Sequence, residues 1–140
     1  MVTNGEEWIH MLFLGEYQLN FSGPGRVVLP KKVRELLKGT SFVLTRGFDR
    51  CLSGYDSVEY EVKAKELFAV SILDSAKLSE RRNLFASTVY VEIDEQGRFV
   101  IPKQLCEYAS LDKKVVVVGV GDHFELWDDT KWINYKKTIT

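Results

Sequence analysis

The chain has 140 residues, of which 45% are hydrophobic and 28% are charged, and its formal net charge is −1. Such a chain is long enough for one soluble domain with a buried core, or for two small domains that share a core. The sequence lacks a run of about 20 apolar residues that could span a bilayer, and its start lacks the features of a secretory signal. We therefore expect a cytoplasmic protein without a membrane partner.

The first half opens with residues 1–10, which are polar and have no strand periodicity, so we expect a disordered extension before Met11. Alternating residues then predict strands, and clusters of glycine and proline mark turns. Pro30 suits the start of a short helix, and Gly39 is predicted to end it in the left-handed conformation. The elements predicted for this half are strands over 13–21, 26–29, 42–45 and 51–55, a short helix over 31–38 and a longer one over 56–69.

The longer helix of the first half has its own start signal. Asp56 stands three residues before Glu59, which is the spacing of a capping box. In that motif each of the two side chains accepts a hydrogen bond from a free backbone N–H of the first helical turn.

The second half repeats the plan of the first. The stretch GRVVLPK at 25–31 returns 72 residues later as GRFVIPK at 97–103. The elements predicted here are strands over 88–93, 98–101, 115–118 and 123–127, helices over 79–86 and 102–109, and a last helix that starts at Asp128. The repeat indicates two copies of one folding unit, which we place at residues 11–69 and 70–140, each with a linking helix.

The four short strands of one copy cannot bury both of their faces without a partner. We therefore predict an α+β fold in which the two copies pack into one pseudo-twofold β-barrel or sandwich with peripheral helices.

The charges are segregated along the chain. Residues 26–50 carry seven basic and two acidic side chains, residues 54–96 carry five and nine, and residues 98–114 carry four and two. Basic residues are thus concentrated in the repeats. A segregated basic face can bind phosphates even on an acidic protein, although lysines also commonly coat exposed helix faces.

The sequence offers little for catalysis. It contains no GxSxG, HExxH or P-loop motif. His123 beside Asp122 could be a general base, and Asp128–Asp129 a carboxylate pair, but we favour a hairpin contact and a helix cap. Cys51 and Cys106 lack zinc-site spacing, so we expect two free thiols. We predict a protein that is not an enzyme and has no metal, cofactor or small-molecule substrate.

The arginine of each repeat stands on a glycine turn. In the second copy, Asp94 precedes Arg98 by four residues across such a turn. Their pairing would lock the hairpin, and it would also orient a guanidinium that could meet phosphate or guanine. The two roles are compatible, because a pre-oriented side chain loses less entropy on binding.

Further motifs accompany the repeat. They are FLG at 13–15, GR at 25–26, LP at 29–30, TRGFD at 45–49 with CL at 51–52, the segment 94–102, and the segment 111–128. Over about residues 11–136 this set resembles the MraZ family, within the SpoVT/AbrB-like transcription factors. The resemblance implies two tandem SpoVT/AbrB-like β-α-β repeats and a bacterial, nucleoid-associated DNA-binding regulator. Family members bind short direct repeats in double-stranded DNA upstream of a division and cell-wall operon, and they form homo-oligomeric rings of eight or twelve subunits.

The resemblance also implies roles for particular residues. The family has an Asp-x-x-x-Arg motif in each half, which Asp94 and Arg98 match and which Ser22 and Arg26 match only at the arginine. A serine can accept a hydrogen bond but supplies no charge. The residues expected to contact DNA are Arg26, Arg98, Lys31, Lys32 and Lys103 with the turn glycines Gly25 and Gly97, and those expected to orient the arginines are Asp94 and Ser22.

Two alternatives remain open from the sequence. The apolar residues near the linking helices either form a ring interface or pack onto their own fold; they are Leu67, Phe68, Val70, Ile72 and Leu73. The chain could also be a protein-interaction or assembly module, antitoxin-like or a scaffold, with weak or lost DNA binding. The serine at position 22 is the motive for that alternative.

Overall fold

The alternating segments of the sequence form extended strands. The computed structural model describes residues 11–68 and 73–140. Within this part of the chain there are eight strands: β1 (Glu16–Asn20), β2 (Arg26–Val28), β3 (Ser41–Arg46), β4 (Leu52–Asp56), β5 (Val89–Glu92), β6 (Arg98–Val100), β7 (Lys114–Gly119) and β8 (Phe124–Asp128). All eight coincide with predicted strands to within a few residues at each end. The predicted extension at 1–10 and the start of the second copy at 70–72 lie outside the described residues.

Helices connect and close the strands. The described residues form five α-helices and one 3₁₀ turn: α1 (Lys31–Arg34), the 3₁₀ turn (Phe48–Arg50), α2 (Ser57–Leu67), α3 (Ser75–Ala86), α4 (Lys103–Ala109) and α5 (Asp129–Ile139). An aspartate caps both of the helices that follow a hairpin: Asp56 accepts from the N–H of Glu59 at 3.1 Å, and Asp128 from that of Lys131 at 3.2 Å. The carboxylate of Glu59 binds Lys38 Nζ at 2.7 Å, so only the aspartate half of the predicted capping box is present.

The short helices of the two halves differ. In the second half, α4 has seven residues and ends at Ser110, which takes the left-handed conformation with φ 53°. In the first half, α1 has only four residues and is followed by Glu35 with an ordinary right-handed φ of −62°. The predicted helix over 31–38 was therefore too long, and the predicted left-handed cap at Gly39 was wrong, because the chain leaves the helix before it reaches the glycine.

The strands of the two halves interlock. Six of them form one sheet in the order β1-β7-β8-β4-β3-β5, and the other two form a separate ribbon, β2-β6. The first strand of each half therefore pairs with the third strand of the other half. Exchanging the halves reverses the strand order of the sheet and leaves its pairings unchanged, which is the signature of a pseudo-twofold axis between β4 and β8.

The strand registers obey the same symmetry. Tyr17 is opposite Val117, and its counterpart Val89 is opposite Leu44. At the centre of the sheet, Ser53 pairs with its own counterpart, Glu125. The sequence repeat is thus also a structural repeat. The two copies exchange strands, since the first strand of each copy pairs with the third strand of the other.

The predicted α+β fold with two repeats is present, but the sheet is open. Pairing runs from β1 at one edge to β5 at the other, and within the described residues no ladder joins these two edges into a barrel. The strands that carry the arginines leave the large sheet and pair with each other, so the ribbon covers one face of the sheet.

The main core lies between the large sheet and the ribbon. Phe42 of β3 contacts Phe99 of the ribbon edge-on at 5.1 Å between ring centroids, and Phe124 of β8 at 5.4 Å. A second, smaller cluster lies on the opposite face of the sheet, where Trp127 packs against Trp132 of α5. Val27 and Phe99 of the ribbon are buried in the main core, so close packing anchors the ribbon to the large sheet.

Candidate nucleic-acid interface

The ribbon β2-β6 brings the two repeated arginines onto one exposed face. In register, Arg26 is opposite Val100 and Val28 is opposite Arg98. These four side chains are exposed, whereas the central pair, Val27 and Phe99, is buried in the core. Arg26 and Arg98 are diagonal neighbours across the pair, a position in which residues are about 7–8 Å apart. The structure therefore presents both arginines together.

This ribbon was not predicted from the sequence. The repeat places each arginine at the start of a short strand, but it gives no sign that the two strands pair or that Val28 and Val100 are exposed, at 42% and 51%. Both ribbon strands have the pattern polar-apolar-apolar, as RVV and RFV. Because neighbouring residues of a strand face opposite sides, burial of the middle residue leaves the first and third residues on the exposed face.

In the second half a carboxylate holds the arginine. Asp94 Oδ2 accepts from Arg98 Nε at 2.5 Å, and Asp94 Oδ1 accepts from the backbone N–H groups of Gln96 and Arg98, both at 2.9 Å. These hydrogen bonds, with the one from the Arg98 side chain the largest cause, lower the pKa of Asp94 below its ordinary value. The ion pair leaves the Arg98 side chain 56% exposed.

In the first half a serine occupies the place of that carboxylate. Ser22 Oγ donates to the backbone carbonyl of Arg26 at 3.4 Å, and the Ser22 N–H donates to the same oxygen at 2.9 Å. Both bonds close the turn without contacting the guanidinium. Among the described residues, the Arg26 side chain has no ion-pair or hydrogen-bond partner.

The glycines of the two turns are required by backbone conformation and by close contacts. Gly25 has φ +69° and Gly97 has φ +84°, values that side chains rarely tolerate. The carbonyl of each glycine also accepts a hydrogen bond from the opposite half: Leu29 donates to Gly97 and Ile101 donates to Gly25, both at 2.8 Å. Each turn is therefore fixed to the end of the ribbon strand of the other half as well as to its own strand.

The predicted lysines lie at the starts of the short helices. Lys31, Lys32 and Lys103 follow prolines at the ends of the ribbon strands, and all three are exposed. Lys31 is 4.0 Å from Glu35, an exposed pair of little energetic weight. These lysines flank the ribbon and are free to move toward an anion.

Arg34 also lies near this surface, although the sequence indicated it only as one of the seven basic residues of 26–50. Its side chain extends from α1 to the arginine turn of the other half, where Nη1 donates to the carbonyl of Glu95 at 3.3 Å. No sequence signal indicated this contact, because 61 residues separate the two partners.

A cleft lies beside the ribbon, between it and β5. Its volume is about 890 Å³, and both Arg26 and Arg98 line it, together with Tyr90, Glu92 and Pro102. Tyr90 is 60% exposed and donates its hydroxyl to Glu61 at 2.9 Å. The cleft extends the arginine surface with aromatic and apolar contacts.

The apolar residues named as a possible ring interface are only partly described. Phe68 is 58% exposed, lies 6.3 Å from Phe85 of α3 between ring centroids, and has Arg81 over its ring. Leu73 is 91% exposed. The side chain of Leu67 and residues 70–72 lie outside the described part of the structure.

The residues considered for catalysis make local contacts. His123 Nδ1 lies 2.7 Å from Asp122 Oδ1, and its ring stacks on Tyr55 with 4.6 Å between centroids. Hydrogen bonds from Lys63 and then His123 lower the pKa of Asp122 to about 2. Cys51 and Cys106 are free thiols. Within residues 11–68 and 73–140 no three potential ligands are grouped as a metal site would need, and no helix there is long and apolar enough to cross a membrane.

These observations define a class of protein: an α+β fold of two interlocked β-α-β repeats that presents a two-stranded ribbon with paired arginines. Residues 12–82 and 84–140 both match the family model described as "MraZ protein, putative antitoxin-like". The chain belongs to the MraZ family.

Curated relatives agree with this assignment. The chain is 41% identical to the transcriptional regulator MraZ of Acetivibrio thermocellus over 124 residues, which cover 89% of this chain and 86% of the relative. It is 40% identical to the protein of that name from Ligilactobacillus salivarius, over 86% and 84% of the two chains, and 38% identical to the one from Lactiplantibacillus plantarum, over 89% and 88%.

Proposed function

We propose that this protein regulates transcription by sequence-specific DNA binding; the relatives it resembles are named transcriptional regulators. The observation that carries the proposal is the ribbon β2-β6, which exposes Arg26 and Arg98 on one face of a rigid two-stranded element. A two-stranded β-ribbon fits into the major groove of B-DNA, where an arginine can donate two hydrogen bonds to a guanine.

The two arginines and the flanking lysines have complementary roles in this proposal. Arg98 and Arg26 contact base edges or phosphates, while Lys31, Lys32 and Lys103 contact the phosphate backbone and hold the ribbon in place. Asp94 orients Arg98, and the left-handed Gly25 and Gly97 shape the turns that present the two arginines to the DNA. Ser22 closes the turn of Arg26 but leaves its guanidinium mobile.

One copy of this ribbon makes few contacts with DNA. Each neutralised phosphate contributes only about 0.9 to the slope of log affinity against log salt, so a single subunit should bind weakly. Several copies on spaced sites would bind far more tightly, because each further contact forms at a high effective concentration. We therefore propose a homo-oligomeric ring of eight or twelve subunits that binds direct repeats at the promoter of a bacterial division and cell-wall operon, within the nucleoid.

Fluorescence anisotropy with a labelled duplex from upstream of the protein's own gene tests the proposal. Arg98→Ala and Arg26→Ala should each weaken binding, whereas the matched control Lys137→Ala, an exposed cation at the end of α5, should bind as the wild type does. An unrelated duplex of equal length should compete poorly. Wild-type affinity in both arginine variants at moderate salt would refute the proposed roles.

The oligomeric part of the proposal has a separate test. Native mass spectrometry and light scattering of the free protein should give eight or twelve subunits, and binding should fall steeply when one of two direct repeats is scrambled. A monomer that binds a single repeat as tightly as two would refute the ring.

The second candidate is an interaction module of the antitoxin type. It is favoured by Ser22, which leaves Arg26 without the carboxylate that holds Arg98, and by the wording of the matching family description. It predicts no binding to the upstream duplex by the wild type, no direct repeats there, and a neighbouring toxin gene.

A further inference from the structure

Arg34 connects the short helix of the first half to the arginine turn of the second half. Its Nη1 donates to the carbonyl of Glu95, in the middle of that turn, at 3.3 Å. Its side chain also lies on the open face of Gly97, where a Cβ would be 2.5 Å from Arg34 Cδ and 2.6 Å from Nε. Gly97 is buried. The arginine therefore holds the turn by a hydrogen bond and by direct packing.

The burial of the Arg34 Nε atom distinguishes this half-buried side chain from the exposed arginines of the ribbon. Its Nε has almost no solvent-accessible surface, and within the described residues this N–H has no hydrogen-bond acceptor. A buried donor without an acceptor is unfavourable, and each such group in a native structure calls for an explanation. Packing on Gly97 keeps the group there, in a position from which Nε cannot reach a ligand.

In the part of the chain that the structure describes, the contact of Arg34 with the turn of the opposite half has no counterpart on the other side of the pseudo-twofold axis. The position that corresponds to Arg34 in the second half is Cys106, 72 residues later. Cys106 Sγ lies 3.7 Å from the carbonyl of Ile101, within its own half, and the face of Gly25 is covered by that same carbonyl. The first turn therefore has backbone at the place where the second turn has the Arg34 side chain.

We infer that Arg34 is a positioning residue for Arg98, and this inference rests on the proposed DNA-binding function. Arg34 holds Glu95 and Gly97, which fixes the turn in which Asp94 binds Arg98. DNA reading by the second half therefore depends on a side chain supplied by the first half. In the described residues, Cys106 of the second half does not hold the turn of Arg26 in the same way, since the backbone of Ile101 covers Gly25.

A double-mutant cycle measured by anisotropy tests the direction of this coupling. Arg34→Ala should weaken binding to the upstream duplex about tenfold, which corresponds to about 1.4 kcal/mol. It should still cost about tenfold in the Arg26→Ala background, but less than twofold in the Arg98→Ala background, where there is no oriented arginine left to lose. Equal losses in the two backgrounds would overturn the inference.

Salt titration and a conservative variant separate positioning from direct contact. Arg34→Ala should leave the salt slope unchanged, whereas Lys32→Ala, which removes a proposed phosphate contact from the same helix, should lower it by about 0.9. Arg34→Lys keeps the charge but loses the planar group on Gly97, so it should bind as weakly as Arg34→Ala. Wild-type binding by Arg34→Lys would show that only the charge matters. Cys106→Ala is the matched control and should change neither quantity.

A measurement on the free protein makes this inference independent of DNA binding. Arg34→Ala should speed hydrogen exchange of the Arg98 Nε–H, observed by NMR, while urea unfolding confirms that the variant is folded. If the wild type does not bind the duplex but exchange still responds, the proposed function fails and the structural link stands. If the wild type binds and neither exchange nor affinity responds, the inference about Arg34 fails.

Discussion

The two arginine turns are built from the same sequence and held by different means. The turn of the second half has Asp94 on its arginine and Arg34 on its glycine. The turn of the first half has Ser22, which binds only backbone, and it is otherwise fixed by its own strand and by Ile101 of the other half. One arginine is oriented before any ligand arrives, and the other is not.

This difference shows that two copies of a repeat can keep the same strand pairing while the side chains that hold their turns diverge. The strand registers of the two halves correspond throughout the sheet and ribbon, because register is set by burial of one face. The exposed side chains around the turns are not under that constraint. If the proposed function holds, Arg98, which is held by Asp94, should make the more specific contacts with DNA, and Arg26, which has no such partner among the described residues, the less specific ones.

The largest expected effects come from the turn glycines. Gly25→Ala places a Cβ 2.6 Å from the backbone carbonyl of Ile101, whereas Gly97→Ala meets the side chain of Arg34, which can move. Both changes also impose a left-handed conformation on alanine, at a cost of about 1–2 kcal/mol. Gly25→Ala should therefore destabilise the protein by more than about 2 kcal/mol and Gly97→Ala by less, as measured by urea unfolding. Equal losses would show that Arg34 is as rigid as the backbone.

The arginine substitutions should reveal the inequality directly. Arg98→Ala should weaken binding to the upstream duplex about 100-fold, and Arg26→Ala about tenfold, since the loss of an oriented bidentate contact is worth about 1–3 kcal/mol. Anisotropy titrations at one salt concentration provide the comparison, with Lys137→Ala as the control. A larger loss for Arg26→Ala would reverse the assignment of the stronger half.

Exchanging the orienting residues should make the halves more alike. Ser22→Asp puts a carboxylate four residues before Arg26, as in the second half, and should tighten binding about threefold through a charge-assisted hydrogen bond. Asp94→Ser should weaken it, because Arg98 loses its partner. Side-chain NMR of the arginine Nε–H groups should show Arg26 becoming protected in the first variant. If Pro24 prevents that geometry, Ser22→Asp will bind as the wild type does, and the two turns will differ in backbone as well as in side chain.

The smallest effect is that of pH. Hydrogen bonds from the Arg98 side chain and then its backbone lower the pKa of Asp94 from an ordinary value of 3.8. A lowered pKa means that the ion pair is fully formed above about pH 4 and is lost only as the pH falls through the lowered pKa. Binding between pH 6 and 8 should therefore be insensitive to Asp94. A ¹³C titration should place its carboxyl pKa below 3.8 in the wild type and closer to 3.8 in Arg98→Ala, and an unchanged pKa in that variant would contradict the pairing.

The sequence predicted much of the local structure. The repeat, the eight strands and the capping aspartates follow from alternation, turn residues and side-chain preferences that act within a few residues. The local errors include the length of the first short helix, its cap at Gly39 and the Glu59 half of the capping box. They involve tertiary contacts of Lys38, whose backbone N–H donates to Asp56 and whose side chain binds Glu59. Such contacts have no local signal.

By itself, the sequence determined that one unit occurs twice, that each copy carries an arginine on a glycine turn, and that only the second copy has a carboxylate four residues before it. The tertiary structure decided how the copies combine. The exchange of strands, the ribbon that puts Arg26 and Arg98 on one face, the open sheet and the reach of Arg34 across 61 residues all join segments that are distant in the chain. They could be decided only there, because the free energy that selects them comes from burying the faces of both halves against each other.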